Sequence, residues 1–206
     1  TGCAAWAVHG DVENGNPLLT GEAVLILCDT EILELIDLGM ITPAVRESVG
    51  RAEGKMSYGP SSYGYDVRLG NEFLIYRDST EPLDPLRVTP DDYHRFKGDE
   101  VHIEPGGFLL GVTMETIRMP PNVTAQLCDK SSLARAGVSV QNTIMEAGWF
   151  GEITLEIHNQ LRRPVILRAG QGIGQLIFFR GSQCATTYAK RGGKYLGQKG
   201  VQTPLA

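Results

Sequence analysis

The sequence predicts a mainly β fold, a sandwich or barrel with one short helical segment near its N-terminus. Three observations carry this reading. From about residue 57, short apolar runs recur, each bounded by Gly, Pro, Asn or Asp. One stretch alone shows helical spacing with recognisable ends. The 206 residues, 42% of them hydrophobic, suffice for one domain with a real core.

Residues 1–24 have no clear periodicity and are rich in Gly, Asn and Ala, so they read as an N-terminal extension, disordered or non-native. A β domain is expected over 25–188. Its first strand begins at Val24-Leu25-Ile26-Leu27. Asp29 stands at an N-cap position ahead of Glu31-Ile32-Leu33-Glu34-Leu35-Ile36, and Gly39 supplies the stop, which predicts a helix over 30–38. A weaker helical pattern covers 43–50. Strands are predicted over 65–69, 72–76, 101–103, 107–113, 123–128, 138–141, 152–158, 164–168 and 174–179. Pro105-Gly106-Gly107, Pro120-Pro121-Asn122, Ala147-Gly148 and Ala169-Gly170 read as turns between them. The charged, Pro-containing stretch 78–100 reads as a surface excursion. Residues 189–206 are Gly-rich and basic, a flexible C-terminal tail able to fold over a ligand.

Composition narrows the function classes. No apolar run reaches the roughly 20 residues of a membrane span, and residues 1–24 lack the pattern of a secretory signal, so no membrane partner is expected. The cysteines at 3, 28, 128 and 184 form no close pair, which fits a reducing cytoplasm rather than a disulfide scaffold or a zinc knuckle. Net charge is −5, but all 24 acidic residues precede residue 157, while eight of the 19 basic ones follow it. Such asymmetry points to an anionic partner for the basic part, or to acidic and basic faces meeting. The basic residues are scattered among glycines with few aromatics, so nucleic acid is not expected and a small polyanion such as a nucleoside triphosphate fits better.

Two segments carry the chemistry. Lys130-Ser131-Ser132-Leu133-Ala134-Arg135 gathers two cations and two hydroxyls. Arg135 can bind phosphate oxygens bidentately, Lys130 acts as a point charge, and Ser131 and Ser132 donate hydroxyls. Alone, the hexapeptide is equally readable as a capped surface turn. In Glu152-Ile153-Thr154-Leu155-Glu156-Ile157-His158, alternation puts Ile153, Leu155 and Ile157 on one face and Glu152, Thr154, Glu156 and His158 on the other. That second face is either solvated or a pocket wall. Gly148-Trp149-Phe150-Gly151 just before it favours the pocket, where a carboxyl with a raised pKa can serve as general base and then acid. In the tail, Tyr188 is suited to pack on a sugar or base, and Lys194 to reach phosphates. Zinc-type base deaminases need a His-x-Glu and a Pro-Cys-x-x-Cys; here His9, His94, His102 and His158 are scattered and no Cys-x-x-Cys exists, so if this protein deaminates a base, it must activate water with protein groups alone.

Taken in order, these segments resemble the dCTP deaminases of the trimeric dUTPase-like superfamily. Leu27-Cys28-Asp29 with its helix, the block from Ser57 to Arg68, Lys130–Arg135, Thr154-Leu155-Glu156, Gly174–Phe178 and Gly193–Gly200 all match, over roughly residues 25–203. The resemblance implies a distorted β-barrel or jelly-roll of the dUTPase-like type, assembled as a homotrimer with active sites between subunits. It implies a deoxycytidine nucleotide substrate and zinc-free hydrolysis of dCTP to dUTP and ammonia, feeding dUMP and dTTP synthesis in the cytoplasm of a bacterium, an archaeon or a virus-infected host. Mg²⁺ is expected on the phosphates, with no metal held by the protein. By position, Glu156 is the general base and acid, supported by Ser131 and Arg135. Lys130, Ser132 and Arg135 hold the phosphates, and Glu146, Thr154, Gln175, Tyr188, Lys194 and Gln198 complete the nucleotide site. Glu146 stands where bifunctional deaminase–diphosphatases carry Asp, which leaves release of dUMP as one alternative, and Ile144-Met145 replaces a more typical Pro-containing pair, which leaves acceptance of dCMP as another. A nucleotide-binding regulator on the same scaffold is the third reading.

Overall fold

A computed structural model describes residues 25–50 and 54–205. The expected extension over 1–24 lies outside the described residues. The chain begins with β1 (Leu25–Ile26), α1 (Asp29–Asp37) and β2 (Ile41–Thr42). A run of strands follows: β3 (Gly59–Ser61), β4 (Gly64–Arg68), β5 (Glu72–Tyr76), β6 (Tyr93–Lys97), β7 (Glu100–Ile103), β8 (Phe108–Arg118) and β9 (Val123–Asp129). The short helix α2 (Ser131–Ala134) leads into β10 (Val138–Gln141), β11 (Ile144–Met145), β12 (Phe150–Asn159), β13 (Val165–Arg168) and β14 (Gly172–Arg180).

These strands build two antiparallel sheets in a distorted jelly-roll arrangement. One runs β11-β9-β14-β4-β3, with β1 also on β14; the other runs β10-β12-β8-β5-β6, with β2 also on β8. A separate ribbon pairs β13 with β7. The sheets are not closed into a barrel, so of the two expected shapes the jelly-roll is the one formed. Their inner faces meet through side chains spaced by two along each strand: Tyr65 and Val67 on β4, Ala125 and Leu127 on β9, Ile153, Leu155 and Ile157 on β12, and Leu176 and Phe178 on β14. Tyr65 is fully buried, and its hydroxyl accepts the Val45 N–H at 2.9 Å, so the ring can enter the core without orphaning its oxygen.

Every predicted strand forms, 72–76 and 138–141 with the predicted ends and the others with shifted ones. β8 runs five residues beyond its predicted limit, through Met114-Glu115-Thr116-Ile117-Arg118. Glu115 hid that extension, and its burial is explained by pairing. Glu115 is fully buried and accepts the Arg68 backbone N–H at 2.9 Å and the Arg68 Nε–H at 2.7 Å. Burial pushes the Glu115 carboxyl pKa upward, while the guanidinium opposes the rise. β6, β3 and β11 were hidden too. β6 lies within the expected surface excursion, and most of its side chains are exposed, so it lacks an alternating apolar signal.

Two local readings are corrected. The helix cap is Cys28 rather than Asp29: Cys28 has extended backbone angles, and the Glu31 carboxylate accepts its N–H at 3.1 Å. The stop is at Gly39 as expected, where φ is +87°. The helix anticipated over 43–50 does not form. That stretch instead drapes over the sheet edge, with Val49 bridged to Tyr58 and Arg68 Nη2 donating to the Pro43 carbonyl at 3.1 Å.

Removing one member of the Arg68–Glu115 pair strands the other charge in the core. Glu115→Ala should cost about 3–5 kcal/mol of unfolding free energy, measured by urea denaturation. A loss below about 1 kcal/mol, the range of exposed ion pairs, would show that the pair does not join the sheets.

Candidate functional site

Strand β12 lies between β10 and β8, with Glu156 opposite Gln141 on one side and Leu110 on the other. Its inner face fills the core. Its outer face carries Thr154, Glu156 and His158, and this face is not simply solvated. The C-terminal stretch crosses it. Gln198 bridges to Gly151 in parallel, the Glu152 N–H donates to the Gln198 carbonyl at 3.0 Å, and the Gln202 N–H donates to Thr154 Oγ1 at 3.1 Å. The Trp149 indole N–H donates to the Tyr195 carbonyl at 3.1 Å.

The stretch expected to fold over a ligand thus lies folded over this face. Its anchor is Val201, fully buried against Leu74, Leu110 and Val112. Two carboxylates flank the anchor: Glu152 accepts the Gly200 N–H at 2.6 Å and Glu72 accepts the Val201 N–H at 3.2 Å. Hydrogen bonds and the Arg95 guanidinium hold the Glu72 carboxyl below its ordinary pKa, against a burial effect that pushes upward. Gly193 is required by packing, since a Cβ there would come within 2.1 Å of the Tyr188 ring.

Between the crossing segment and the sheet lies a cavity of about 400 Å³, within the range of small-molecule sites. Aromatic walls come from Phe108, Trp149, Tyr188 and Tyr195. Polar groups converge from Glu156, Thr154, Asn142 and Gln198. Burial pushes the Glu156 carboxyl above its ordinary pKa, because taking the charged form out of water is unfavourable. Two hydrogen bonds oppose the rise, from its own backbone N–H and from the Asn142 amide. The site therefore pairs a proton-transfer group with flat apolar surfaces suited to a heterocycle.

Of the predicted site residues, Glu146, Thr154, Glu156, Tyr188 and Gln198 meet in this cavity. Glu146 is engaged there: its carboxylate pairs with Arg191, whose guanidinium lies 5.1 Å over the Tyr188 ring. A second cavity of about 650 Å³ holds Ser132 and Arg135, together with Lys55 and Gln171. The Arg135 guanidinium pairs with no acid among the described residues. Ser131 starts α2 on the surface beside them. Three predicted residues sit elsewhere in the chain. Lys130 is mostly buried and ion-paired with Asp66. The Gln175 amide donates to Ser61 Oγ at 2.9 Å, and Lys194 Nζ donates to the Leu205 carbonyl at 3.1 Å. Among the described residues no three His, Cys, Asp or Glu side chains gather as a metal site.

Sequence reasoning missed Asn142, Lys55 and Gln202. Asn142 stands just past the predicted strand 138–141, Lys55 precedes the block from Ser57 to Arg68, and Gln202 lies beyond the last matching segment. The charge asymmetry is partly resolved inside the chain, since Arg168, Arg180 and Arg191 pair with Glu100, Glu31 and Glu146. No helix among the described residues is long and apolar enough to cross a membrane.

A half-buried acid on the wall of an aromatic cavity, with a separate groove of cations and hydroxyls, defines a class: a two-sheet β protein equipped for proton transfer on an anionic, ring-bearing ligand. The comparisons name the family. A sequence profile of the dCTP deaminase-like family matches residues 26–181, and the chain belongs to that family. It is 42% identical over 168 residues to the dCTP deaminase of Granulibacter bethesdensis, covering 81% of this chain and 90% of that one. It is 40% identical over 174 residues to the dCTP deaminase of Neisseria meningitidis serogroup C, covering 82% and 93%. The fold is shared with the crystal structure of 2'-deoxycytidine 5'-triphosphate deaminase from Agrobacterium tumefaciens, at TM-score 0.58 and 22% identity, over 78% of this chain. This chain spans about half the length of that one, 49%.

If Val201 anchors the crossing segment, Val201→Asp should free it while leaving the two sheets folded. Amide exchange at residues 198–202 should accelerate at least tenfold, with β12 and β14 unchanged. Unchanged exchange at 198–202 would show that the hydrogen bonds alone hold the segment.

Proposed function

We propose that the protein catalyses hydrolytic, zinc-independent deamination of dCTP to dUTP and ammonia, supplying dUMP and dTTP synthesis in the cytoplasm. The observation that carries this reading is Glu156, half-buried at the wall of the aromatic cavity with its pKa raised. A carboxyl of raised pKa is matched to moving protons near neutral pH. The relatives' names supply the substrate class.

In this mechanism the cytosine ring lies between the aromatic walls. Ionised Glu156 takes a proton from water as the oxygen adds to C4, and the proton passes to ring N3. C4 is then tetrahedral, bearing hydroxyl and amino groups. Glu156 relays the hydroxyl proton to the amino nitrogen, the C–N bond breaks, and ammonia leaves as C4=O forms. Water supplies the carbonyl oxygen and the protons, so dCTP plus water balances dUTP plus ammonia. Ser131 and Arg135 support this chemistry in the notation of the family, and Thr154 and Gln198 bound the nucleoside.

The phosphates belong in the groove of Ser132, Arg135 and Lys55, which a single protomer keeps apart from the Glu156 cavity. That separation supports a homotrimer in which the groove of one subunit faces the cavity of the next. Mg²⁺ enters as part of the substrate, carried on the phosphate oxygens. Lys130, neutralised by Asp66, then acts by fixing the start of α2 rather than as a phosphate point charge. Glu146 is held by Arg191, which leaves it poorly placed to activate water for phosphate cleavage, so dUTP rather than dUMP is the expected product.

Incubation with dCTP and Mg²⁺ should release ammonia and dUTP, identified by chromatography. Pyrophosphate and dUMP would instead support the bifunctional reading, and tight nucleotide binding without product would support a regulator. Glu156→Gln should retain dCTP binding and lose about 10²–10⁴-fold in kcat. Near-normal turnover would remove Glu156 from the mechanism. For shared sites, co-assembly of Glu156→Gln with Arg135→Met subunits at equal ratio should restore roughly a quarter of wild-type activity, because intact halves meet at that share of interfaces. No restoration in subunits shown to exchange would place each site within one protomer.

A further inference from the structure

We propose that Trp149 is a positioning residue for the nucleotide: its indole N–H, acting through the backbone of Tyr195, sets where the aromatic walls of the cavity stand. The inference rests on the reading that this cavity takes the pyrimidine ring of dCTP.

The geometry begins with Trp149 itself. It is almost fully buried, at 6% exposure, and belongs to the core. Its backbone is fixed on both sides, because its N–H donates to the Glu146 carbonyl at 3.0 Å and its carbonyl accepts the Met119 N–H at 2.8 Å. An indole N–H can only donate, and leaving it unpaired in a buried wall is unfavourable. It donates to the Tyr195 carbonyl, 46 residues further along the chain, at 3.1 Å. The N–H of Tyr195 in turn donates to the Tyr188 hydroxyl at 3.1 Å. Tyr195 thus joins Trp149 to Tyr188, and all three residues line the cavity. The fourth wall is held differently: Phe108 on β8 packs against His158, with ring centroids 4.7 Å apart.

A brace is needed at this place. Tyr195 lies among Gly192, Gly193 and Gly197, and φ is +68° at Gly192 and +75° at Gly197. Such a backbone does not select one position without fixed partners, because ordering it costs entropy. Further on, the Gly197 N–H donates to the Phe150 carbonyl at 2.8 Å and Val201 is buried. Among the described residues, 193–196 take one hydrogen bond from outside the stretch 187–205, and the Trp149 indole supplies it. Walls already in place favour a flat ligand, because ordering them during binding would be subtracted from its affinity. Trp149 therefore acts both as a wall and as the donor that places two others. That role concerns binding, so its loss falls on KM rather than on kcat.

The test is a double-mutant cycle of Trp149→Phe and Tyr188→Phe. It is read as KM and kcat for dCTP, and as amide exchange at residues 193–197 in nucleotide-free protein. Each substitution keeps an aromatic ring and removes one bond to Tyr195. Each alone should raise KM about tenfold, the upper size of one neutral hydrogen bond, and speed exchange at 193–197 about tenfold, with kcat within about twofold of wild type. Because both bonds hold the same residue, the double variant should raise KM little beyond either single one. Effects that multiply, to roughly a hundredfold, would show that each ring acts alone and would overturn the inference. Unchanged exchange in both single variants would overturn it as well. Tyr188→Phe removes only a hydroxyl, so it carries the test if Trp149→Phe does not fold: wild-type KM and exchange in Tyr188→Phe would sink the brace. Absence of dCTP turnover in the wild type overturns the proposed reaction instead, and the exchange measurement alone then decides the brace.

Discussion

The chemistry of this protein depends on β12 being covered on both faces. A strand in a two-sheet protein ordinarily packs one face on the core and leaves the other in water. Here Ile153, Leu155 and Ile157 fill the core, and the C-terminal stretch covers Thr154 and Glu156. Without that cover Glu156 would be an ordinary solvated carboxylate with an ordinary pKa. With it, the charged form loses water and the group becomes fit to give as well as take a proton.

Holding a Gly-rich segment against a sheet requires fixed partners, because its backbone entropy opposes docking. The chain supplies them from two distant elements. Glu72 on β5 and Glu152 on β12 accept successive backbone N–H groups around a single buried valine, while Arg95 donates to the Val201 carbonyl at 2.8 Å. Acidic side chains from the first three quarters of the chain thus meet the backbone of its last part. The same pattern recurs in the ion pairs Arg180–Glu31 and Arg191–Glu146. Part of the electrostatic asymmetry of the sequence therefore goes into holding the molecule together.

The division of labour between the two cavities follows from the same sheet. α2 and Arg135 lie at one end of β10, and Glu156 lies across from the other end, beside Gln141. The three residue steps from Val138 to Gln141 put these ends on the order of 10 Å apart. The chain consequently presents the groove of Arg135 and the pocket of Glu156 as separate surfaces.

What the sequence determined by itself is what local chemistry can write: the strand periodicity, the helix with its Gly39 stop, the alternation that sends Glu156 outward from the core, and the ordered motifs that mark the family. It placed Glu156, Thr154 and Trp149 near one another because they share a strand or its approach, while Tyr188 joined them only through the family resemblance. The tertiary structure decided the rest. Whether the outer face of β12 is wet or covered depends on residues more than forty positions away. The buried Glu115, the partner that neutralises Lys130 and the bond from the Asn142 amide to the Thr154 carbonyl are all set by strand register and packing. Spacing along a chain specifies which way a side chain points, but burial and electrostatic partners are sums over neighbours brought close only by folding, and those sums make a carboxyl a catalyst or a surface charge.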